Sequence, residues 1–405
     1  MEEERRFLPY GRQLIDDDDI AAVADALRGD FLTTGPSVSQ FENALAERTG
    51  SRYAVVCSSG TAALHLAAMA ARLGPGDVGI VPSITFLATA NCLRYVGADV
   101  QFADVDPSTG LITAETFADA LSHTSVKPEV VLPVHVNGQA ADMAAITDIA
   151  DRQGISIIED ACHALGGASV RADGTMAPIG KTENNGMAVF SFHPVKTIAM
   201  GEGGAITTDD PDLDRRLRIL RNIGMTRDPG DFVVTEMAFD HNGDANPWYY
   251  EMHELGHNLR ASDLHCALGL SQLGKLDRFV AARRQRVTWY REALTPFAPF
   301  IKPLVQVGGC EPAWHLFVVH IDFGSAGVSR ASVMHQLRDM GVGTQVHYIP
   351  VHRQPYYQNL YGQRDLPGAD QYYARTLSLP LYPSMSKDDV AYVVECLHRV
   401  VGAGG

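Results

Sequence analysis

The sequence lacks any apolar run long enough to cross a membrane, which requires about 20 residues. Its longest apolar stretch, residues 62–71, is interrupted by His65 and is typical of a buried helix. The N-terminal segment MEEERRFLPY has no apolar core of the kind found in a secretory signal peptide. We therefore expect a cytoplasmic protein without a membrane partner.

Cysteine pairs with metal-site spacing are also missing. Six cysteines are scattered along the chain, and none forms a C-x-x-C pair, so the spacing of a zinc site is absent. We expect reduced, mostly buried thiols and no bound metal ion.

Positive charge is scarce: 33 lysines and arginines stand against 48 acidic residues, and the formal net charge is -15. This balance argues against nucleic acid or an anionic membrane as a general partner. It does not argue against a phosphorylated substrate, because a few local donors can hold a phosphate inside an acidic protein.

Short β-type runs alternate with helical patterns from Tyr53 to about Thr208 in this chain of 405 residues. The alternation predicts an α/β fold with a mostly parallel sheet covered by helices on both faces. The runs at residues 188–192 and 204–207 depart from the alternation, since only a loop separates them.

The C-terminal part mixes strand patterns with helical ones and predicts a small α+β domain. The expected strands lie at residues 316–321 and 344–346, and the expected helices at 263–294, 332–340 and 388–401. We therefore expect a large domain over residues 1–260, which includes an N-terminal substrate-contacting segment, and a small domain over residues 261–405.

A candidate phosphate site follows the first predicted strand, in Cys57-Ser58-Ser59-Gly60-Thr61-Ala62-Ala63-Leu64. Glycine lets a bound group approach the backbone, and the hydroxyls and first free amides of the next helix can face an anion. An ordinary helix N-cap at Ser59 or Thr61 explains the same residues, so the motif alone does not decide.

Glu159 and Asp160 end a buried apolar strand, and ligands of parallel sheets bind at the carboxyl ends of the strands. Strand alternation does not say which acid faces the ligand, and an aspartate that caps the next loop is the alternative.

Lys196 follows a strand and a polar turn, and it precedes the glycine-rich return Gly201-Glu202-Gly203-Gly204. Desolvation would keep such an amine partly neutral and nucleophilic, although a surface lysine is the more common state of this residue.

The three segments together supply what a pyridoxal-phosphate (PLP) site needs. They offer a phosphate cradle at Ser59, Gly60 and Thr61, a carboxylate for the pyridine nitrogen at Asp160, and a lysine for the aldehyde at Lys196. All of them follow strands of one predicted sheet, and their combination indicates a PLP enzyme.

On these motifs the chain resembles the DegT/DnrJ/EryC1/StrS family of sugar aminotransferases over nearly its whole length, from Leu8 to about Leu397. The resemblance implies fold type I of the PLP-dependent transferases. The residues that carry it are Gly35-Pro36, Ser59-Gly60-Thr61-Ala62-Ala63-Leu64, Pro82-Ser83-Ile84-Thr85-Phe86, Glu159-Asp160-Ala161, Ser191-Phe192-His193-Pro194-Val195-Lys196 and Gly256-His257-Asn258-Leu259-Arg260.

The resemblance also implies the roles of individual residues. Lys196 would hold the cofactor as a Schiff base and then move the proton between cofactor and sugar, while Asp160 would keep the pyridine nitrogen protonated. His163 would bond the phenolic oxygen and Phe86 would stack on the ring; a packed histidine and a core aromatic are the alternatives. Gly60, Thr61 and Ser191 would line the phosphate. The implied substrate contacts are Tyr10, Asp30, Phe31, Leu32, Thr33, Ser191, Asn258, His347, Tyr348, Ile349 and Pro350.

Many members of the family have glutamine at the position of His163, and a histidine there resembles the pseudaminic acid branch of the family. Residues 247–252 and 345–352 also resemble that branch. That branch implies amino transfer, with glutamate as the expected donor, to C4 of a UDP-linked 4-keto-6-deoxy-N-acetyl hexose. The product would be UDP-4-amino-4,6-dideoxy-N-acetyl-β-L-altrosamine.

Three alternatives remain. The substrate could be another dTDP- or GDP-linked keto sugar. Dehydration at C3 is disfavoured, because the relatives that catalyse it carry histidine where this chain has Lys196. A non-catalytic regulatory protein is the third, and loss of Lys196 or Asp160 would have supported it.

The resemblance finally implies a homodimer with shared active sites. Asn258 would reach the cofactor phosphate of the neighbouring subunit, and Arg260 would fix the loop or the interface. The alternative is that Asn258 only caps the helical region that starts near Ser262.

Overall fold

The structure is a computed structural model that describes residues 7–182 and 186–402. Its helices are α1 (Asp17–Arg28), α2 (Pro36–Thr49), α3 (Gly60–Ala70), α4 (Leu87–Tyr95), α5 (Ala114–Ser122), α6 (Met143–Gln153), α7 (Pro211–Arg221), α8 (Thr235–Ala238), α9 (Asp263–Leu273), α10 (Leu276–Leu294), α11 (Arg330–Asp339), α12 (Pro355–Tyr361), α13 (Pro367–Arg375) and α14 (Lys387–Gly402). Its strands are β1 (Tyr53–Cys57), β2 (Val78–Pro82), β3 (Asp99–Ala103), β4 (Val130–Val131), β5 (Ser156–Asp160), β6 (Ala168–Val170), β7 (Met176–Pro178), β8 (Met187–Ser191), β9 (Gly204–Thr208), β10 (Met225–Thr226), β11 (Glu251–Met252), β12 (Ile301–Pro303), β13 (Cys310–Glu311), β14 (Phe317–Ile321) and β15 (Thr376–Leu379).

A seven-stranded sheet in the order β1-β9-β8-β5-β4-β2-β3 forms the centre of the molecule. The pairs from β8 to β3 are parallel, whereas β9 is antiparallel to both of its neighbours, β1 and β8. Strand β1 therefore runs parallel to the remaining five, and the predicted mostly parallel α/β sheet is confirmed. The carboxyl ends of β1, β2, β5 and β8 consequently lie at one edge.

The strands are buried on both faces, and successive side chains enter different cores. On β1, Val55 and Cys57 pack in the cluster that includes Leu66 of α3, while Ala54 and Val56 pack in the cluster that includes Phe41 of α2. This follows from the two-residue period of a strand. Helices on both faces explain why the strand sequences are continuously apolar.

Helix boundaries follow local capping chemistry. Helix α6 begins where the Asp142 carboxylate accepts a hydrogen bond from the Ala145 N–H, and it ends at Gly154, whose φ of 62° lies in the left-handed region. Glycine adopts that conformation without a steric penalty from a Cβ atom.

The C-terminal part has a small antiparallel sheet of its own, β12-β14-β15, which shares one hydrophobic core with α10, α11 and α14. Its core includes Tyr290 and Phe317, whose rings stack with centroids 4.3 Å apart. Helix α9 instead packs against α1 and α2 of the N-terminal part. The division at residue 260 stays a prediction.

One predicted strand is wrong. Residues 344–346 form only an isolated bridge between Gln345 and Ser378, because the chain then turns into the segment that carries His347 and Tyr348. The predicted helical region 263–294 is also divided, since Gly274 and Lys275 separate α9 from α10.

Five of the six cysteines are buried, as expected, and Cys162 is partly exposed. Over the residues that the structure describes, no helix combines the length and the apolar character that a membrane crossing requires.

Candidate active site

A cavity of about 510 Å³ opens at the carboxyl edge of the central sheet. Segments that follow β1, β2, β5 and β8 supply its walls, together with the N-terminal segment and residues 345–349. The sequence-predicted residues that line it are Tyr10, Gly60, Thr61, Phe86, Asp160, His163, Ser191, Lys196, His347, Tyr348 and Ile349.

The other predicted residues lie outside the cavity of this single chain. Asp30, Phe31, Leu32 and Thr33 are exposed beside the start of α9, where Leu32 accepts a hydrogen bond from the Asp263 N–H and Thr33 bridges to Ser262. Asn258 is exposed and bridges to Asn222, while Pro350 is buried next to Ile349. One chain therefore does not bring these six residues to the cavity.

The start of α3 forms a set of hydrogen-bond donors at the end of β1. Ser59 is the N-cap, and its hydroxyl accepts a hydrogen bond from the Ala62 N–H at 3.1 Å. The N–H groups of Gly60 and Thr61 have no partner within the described part of the chain. Free amides at a helix N-terminus favour an anion, so the cap and the anion site coexist here.

Only one of the two acids at the end of β5 faces the cavity. Asp160 lines it, and its Oδ2 accepts a hydrogen bond from the Thr89 hydroxyl at 2.6 Å, while Oδ1 accepts one from the Cys162 N–H at 3.2 Å. Successive residues of a strand point to opposite faces, so Glu159 points away.

Glu159 is buried in an ion-pair cluster of its own. Its carboxylate bonds to Arg171 Nη1 and His135 Nε2, both at 2.9 Å. Burial alone would raise the pKa of Glu159, but Arg171 and His135 lower it to about 2. Its charge is thus compensated inside the fold and is not available to a ligand.

Lys196 lies in the turn after β8, where its N–H donates to the His193 carbonyl at 2.8 Å. Burial lowers the pKa of the Lys196 amine, and Cys162 and Asp160 oppose that shift. Among the residues that line the cavity, Lys196 is the one lysine, and no arginine accompanies it. A lowered pKa increases the neutral fraction that can act as a nucleophile.

Two neutral histidines and a tyrosine form part of the cavity wall. Burial lowers the pKa of His163 well below its usual range, and it lowers the pKa of His347 to about 3. His163 Nδ1 accepts the Asn137 N–H at 3.3 Å, so its proton is on Nε2, which donates to the Tyr348 hydroxyl at 2.9 Å. His163 therefore presents a donor toward the cavity.

Comparison with known proteins identifies the family. The sequence profile of the DegT/DnrJ/EryC1/StrS aminotransferase family matches residues 13–398. The chain belongs to that family. The spore coat polysaccharide biosynthesis protein SpsC of Bacillus subtilis (strain 168) is 38% identical over 404 residues, which are 99% of each chain.

Solved structures of family members superpose over almost the whole molecule. The PLP-form of the putative sugar aminotransferase Spr1654 from Streptococcus pneumoniae has a TM-score of 0.86 at 25% identity and covers 98% of this chain and 100% of its own. Helicobacter pylori PseC, an aminotransferase of pseudaminic acid biosynthesis, has a TM-score of 0.85 at 24% identity and covers 98% and 100%. The fold is therefore type I, and the chain is a PLP-dependent aminotransferase.

The residues of the cavity fit this cofactor. Free amides at Gly60 and Thr61 suit its phosphate, the Asp160 carboxylate suits a protonated ring nitrogen, and the Lys196 amine suits its aldehyde. The three groups lie at one sheet edge, as a single ligand requires.

Sequence reasoning gave no role to three buried polar residues of the cavity wall: Thr85, Thr89 and His315. Thr85 and Thr89 are four residues apart across the start of α4, a spacing that places hydroxyls on one side of a helix. That spacing was visible in the sequence, but nothing in it indicated that Asp160 would lie within reach.

We predict that Gly60→Ala weakens PLP binding. A Cβ atom on Gly60 would lie 2.7 Å from the Ser191 Cβ, so Ser191 must shift. Overpacking of this kind costs about 1–3 kcal/mol, or roughly 5- to 150-fold in affinity, measured by spectroscopic titration of the apoenzyme. Gly308→Ala is the matched control, because a Cβ there meets nothing within 4 Å; equal affinities of the two variants would contradict the prediction.

We predict that Glu159→Gln destabilises the protein in a pH-dependent way. The folded-state pKa of Glu159, about 2, lies below its ordinary 4.5, so its contribution is full above 4.5 and is lost as pH falls toward 2. Urea denaturation at neutral pH should show that the variant has lost on the order of 3 kcal/mol in its free energy of unfolding. This difference in unfolding free energy between variant and wild type should shrink by about 1.4 kcal/mol per pH unit below 4.5. A difference that does not change with pH would refute the prediction.

Proposed function

We propose that this sugar-nucleotide aminotransferase transfers an amino group from glutamate to C4 of a UDP-linked 4-keto-6-deoxy-N-acetyl hexose in the cytoplasm. The product would be UDP-4-amino-4,6-dideoxy-N-acetyl-β-L-altrosamine, an intermediate of pseudaminic acid biosynthesis. The observation that carries the amino transfer is the single cavity that Lys196, Asp160 and His163 line together. The particular sugar rests on His163 and on residues 247–252 and 345–352, which resemble that branch of the family.

The residues of the cavity divide the chemistry among them. Bound PLP supplies an electron sink and carries the amino group between the two substrates. The Lys196 amine would take and return the proton at the sugar's C4, for which a lowered pKa suits it. Asp160 would hold a proton on the ring nitrogen. His163 would donate its Nε2–H to the phenolic oxygen of the cofactor in place of the Tyr348 hydroxyl, its partner in this structure.

The sugar nucleotide would lie against the outer wall of the cavity. Tyr10, His347 and Tyr348 meet there: the Tyr10 and His347 rings are 5.4 Å apart, and the Phe86 and Tyr348 rings are 6.1 Å apart. Phe86 keeps 56% of its surface exposed, which leaves its ring free to stack on a ligand. Aromatic and hydroxyl groups of this kind suit a sugar ring, because they combine apolar faces with hydrogen bonds.

A second copy of the chain would complete the site. Leu259, next to Asn258, accepts a hydrogen bond from the Ser58 N–H beside the anion site, yet Asn258 itself is exposed and outside its own cavity. Phe31 and Leu32, 56% and 50% exposed, lie beside the start of α9. These exposed apolar residues, and an exposed amide that can donate to phosphate, support a homodimer in which Asn258 acts on the partner's cofactor.

We predict that Lys196→Ala abolishes turnover and the yellow colour of the lysine-bound cofactor, which borohydride bleaches in wild type. The melting temperature should stay near that of wild type. Turnover and colour are lost because no other lysine lines the cavity within the described residues. Lys302→Ala, an exposed lysine of β12, is the matched control and should behave as wild type. Multiple turnovers by Lys196→Ala would remove Lys196 from its role.

The substrate is tested by incubating wild type with PLP, glutamate and a panel of UDP-, dTDP- and GDP-linked 4-keto sugars, with products resolved by mass spectrometry and NMR. We expect the highest kcat/KM for the UDP-linked N-acetyl sugar, with the new amine at C4. Preference for a dTDP- or GDP-linked sugar would replace the proposed substrate. Absence of amino transfer to every sugar would favour a regulatory protein.

Shared active sites are tested with heterodimers of Lys196→Ala and Asn258→Ala subunits, purified through two different tags. If Asn258 acts across the interface, one site of the heterodimer carries both lesions and the other carries none. We expect about half of the wild-type activity per dimer, well above either mutant homodimer. Activity no higher than half that of the Asn258→Ala homodimer would place both residues in the same subunit's site.

A further inference from the structure

Two threonines to which the sequence motifs gave no role connect the cavity wall to Asp160. Thr89 lies in the first turn of α4, and Thr85 lies in the loop before it. Both are fully buried, at 0% and 1% exposure, and both line the cavity. Their hydroxyl oxygens are 2.7 Å apart, and the Thr89 hydroxyl is 2.6 Å from Asp160 Oδ2.

The direction of these hydrogen bonds follows from the number of protons. An ionised carboxylate only accepts, so the single hydroxyl proton of Thr89 is donated to Asp160. Thr89 then has only lone pairs to offer Thr85, so Thr85 must donate to Thr89. The result is a chain in one direction, Thr85 to Thr89 to Asp160, in which each bond polarises the next.

These hydrogen bonds give the Asp160 carboxylate different surroundings from those of Glu159, its neighbour on β5. Glu159 has a cation, Arg171, at 2.9 Å. Asp160 has no salt bridge among residues 7–182 and 186–402. The Thr89 hydroxyl and the Cys162 N–H donate to its oxygens, the Cys162 thiol also bonds to it, and the Lys196 amine attracts it from beyond salt-bridge distance. Dipoles fix the orientation of a carboxylate without cancelling its charge, so Asp160 keeps its charge for a cationic ligand group.

We propose that Thr85 and Thr89 are positioning residues, which orient the Asp160 carboxylate so that it holds the proton on the ring nitrogen of PLP. This inference rests on the proposed role of Asp160. Thr89 acts directly on the carboxylate, and Thr85 acts only through Thr89. The two threonines should therefore have unequal and non-additive effects, which separates them from hydroxyls that merely satisfy one another in a core.

The test uses Thr89→Val, Thr89→Ser, Thr85→Val and the Thr85→Val/Thr89→Val double variant, with Asp160→Asn as reference. Two quantities are measured on each: PLP affinity of the apoenzyme by spectroscopic titration, and the chemical shift of bound ¹⁵N-labelled PLP, which reports protonation of the ring nitrogen. Valine has the shape of threonine without the hydroxyl, and serine keeps the hydroxyl. Melting temperatures of the apoenzymes report folding separately.

We expect Thr89→Val to lose about tenfold or more in PLP affinity, as for a hydrogen bond to a charged group, and to shift the ring nitrogen toward its unprotonated form. Thr89→Ser should stay within about threefold of wild type. Thr85→Val should lose less than Thr89→Val, and the double variant should equal Thr89→Val.

The outcomes separate the hydrogen-bond chain from Thr85 through Thr89 to Asp160, here called the relay, from the role of Asp160. If Asp160→Asn changes both quantities and Thr89→Val changes neither, the relay is wrong and the role of Asp160 stands. If Asp160→Asn itself leaves both unchanged, the proposed role of Asp160 fails, and the relay with it. Fully additive losses for the two valine variants, or losses that Thr89→Ser does not restore, would also overturn the relay. If Thr89→Val does not fold, Thr89→Ser and Thr85→Val still test the proposal. A large loss of PLP affinity in Thr89→Ser would contradict it, and so would an unchanged affinity in Thr85→Val.

Discussion

The site depends on the parallel alignment of β1, β5 and β8. Strand β9 lies between β1 and β8 and is antiparallel to both. Because of this double reversal, β1 runs in the same direction as β8 and β5. Their carboxyl ends then deliver the free amides of α3, Asp160 and the turn that carries Lys196 to one edge. Reversing one five-residue strand would move its functional residue by roughly 16 Å, given a rise of about 3.3 Å per residue.

The pair Glu159 and Asp160 shows how one strand end serves both stability and chemistry. The two side chains point to opposite faces of β5, so they enter different environments although they are adjacent in sequence. Glu159 meets Arg171 and His135 and becomes part of the fold. Asp160 faces the cavity instead, where the Thr89 hydroxyl and the Cys162 N–H donate hydrogen bonds to its two oxygens.

The acidic composition of the chain is compatible with a phosphate ligand because the anion site uses few charges. Backbone amides at Gly60 and Thr61 supply partial positive charge at the start of α3. His163 and His347 are neutral at physiological pH, since burial lowers their pKa values. Recognition in this cavity therefore depends on oriented hydrogen bonds and aromatic faces more than on net charge.

The sequence by itself determined the α/β alternation and the three segments around Gly60, Asp160 and Lys196, because those depend on local periodicity and on residue types that chemistry requires. Only the tertiary structure decided which acid faces the cavity, since that depends on the register and facing of β5. It also decided that Thr89 reaches Asp160 across 71 positions of the chain, and that residues 344–346 form no strand. It likewise left Asn258 outside the cavity of its own chain. Each of these depends on contacts between residues distant in sequence, which no local pattern encodes.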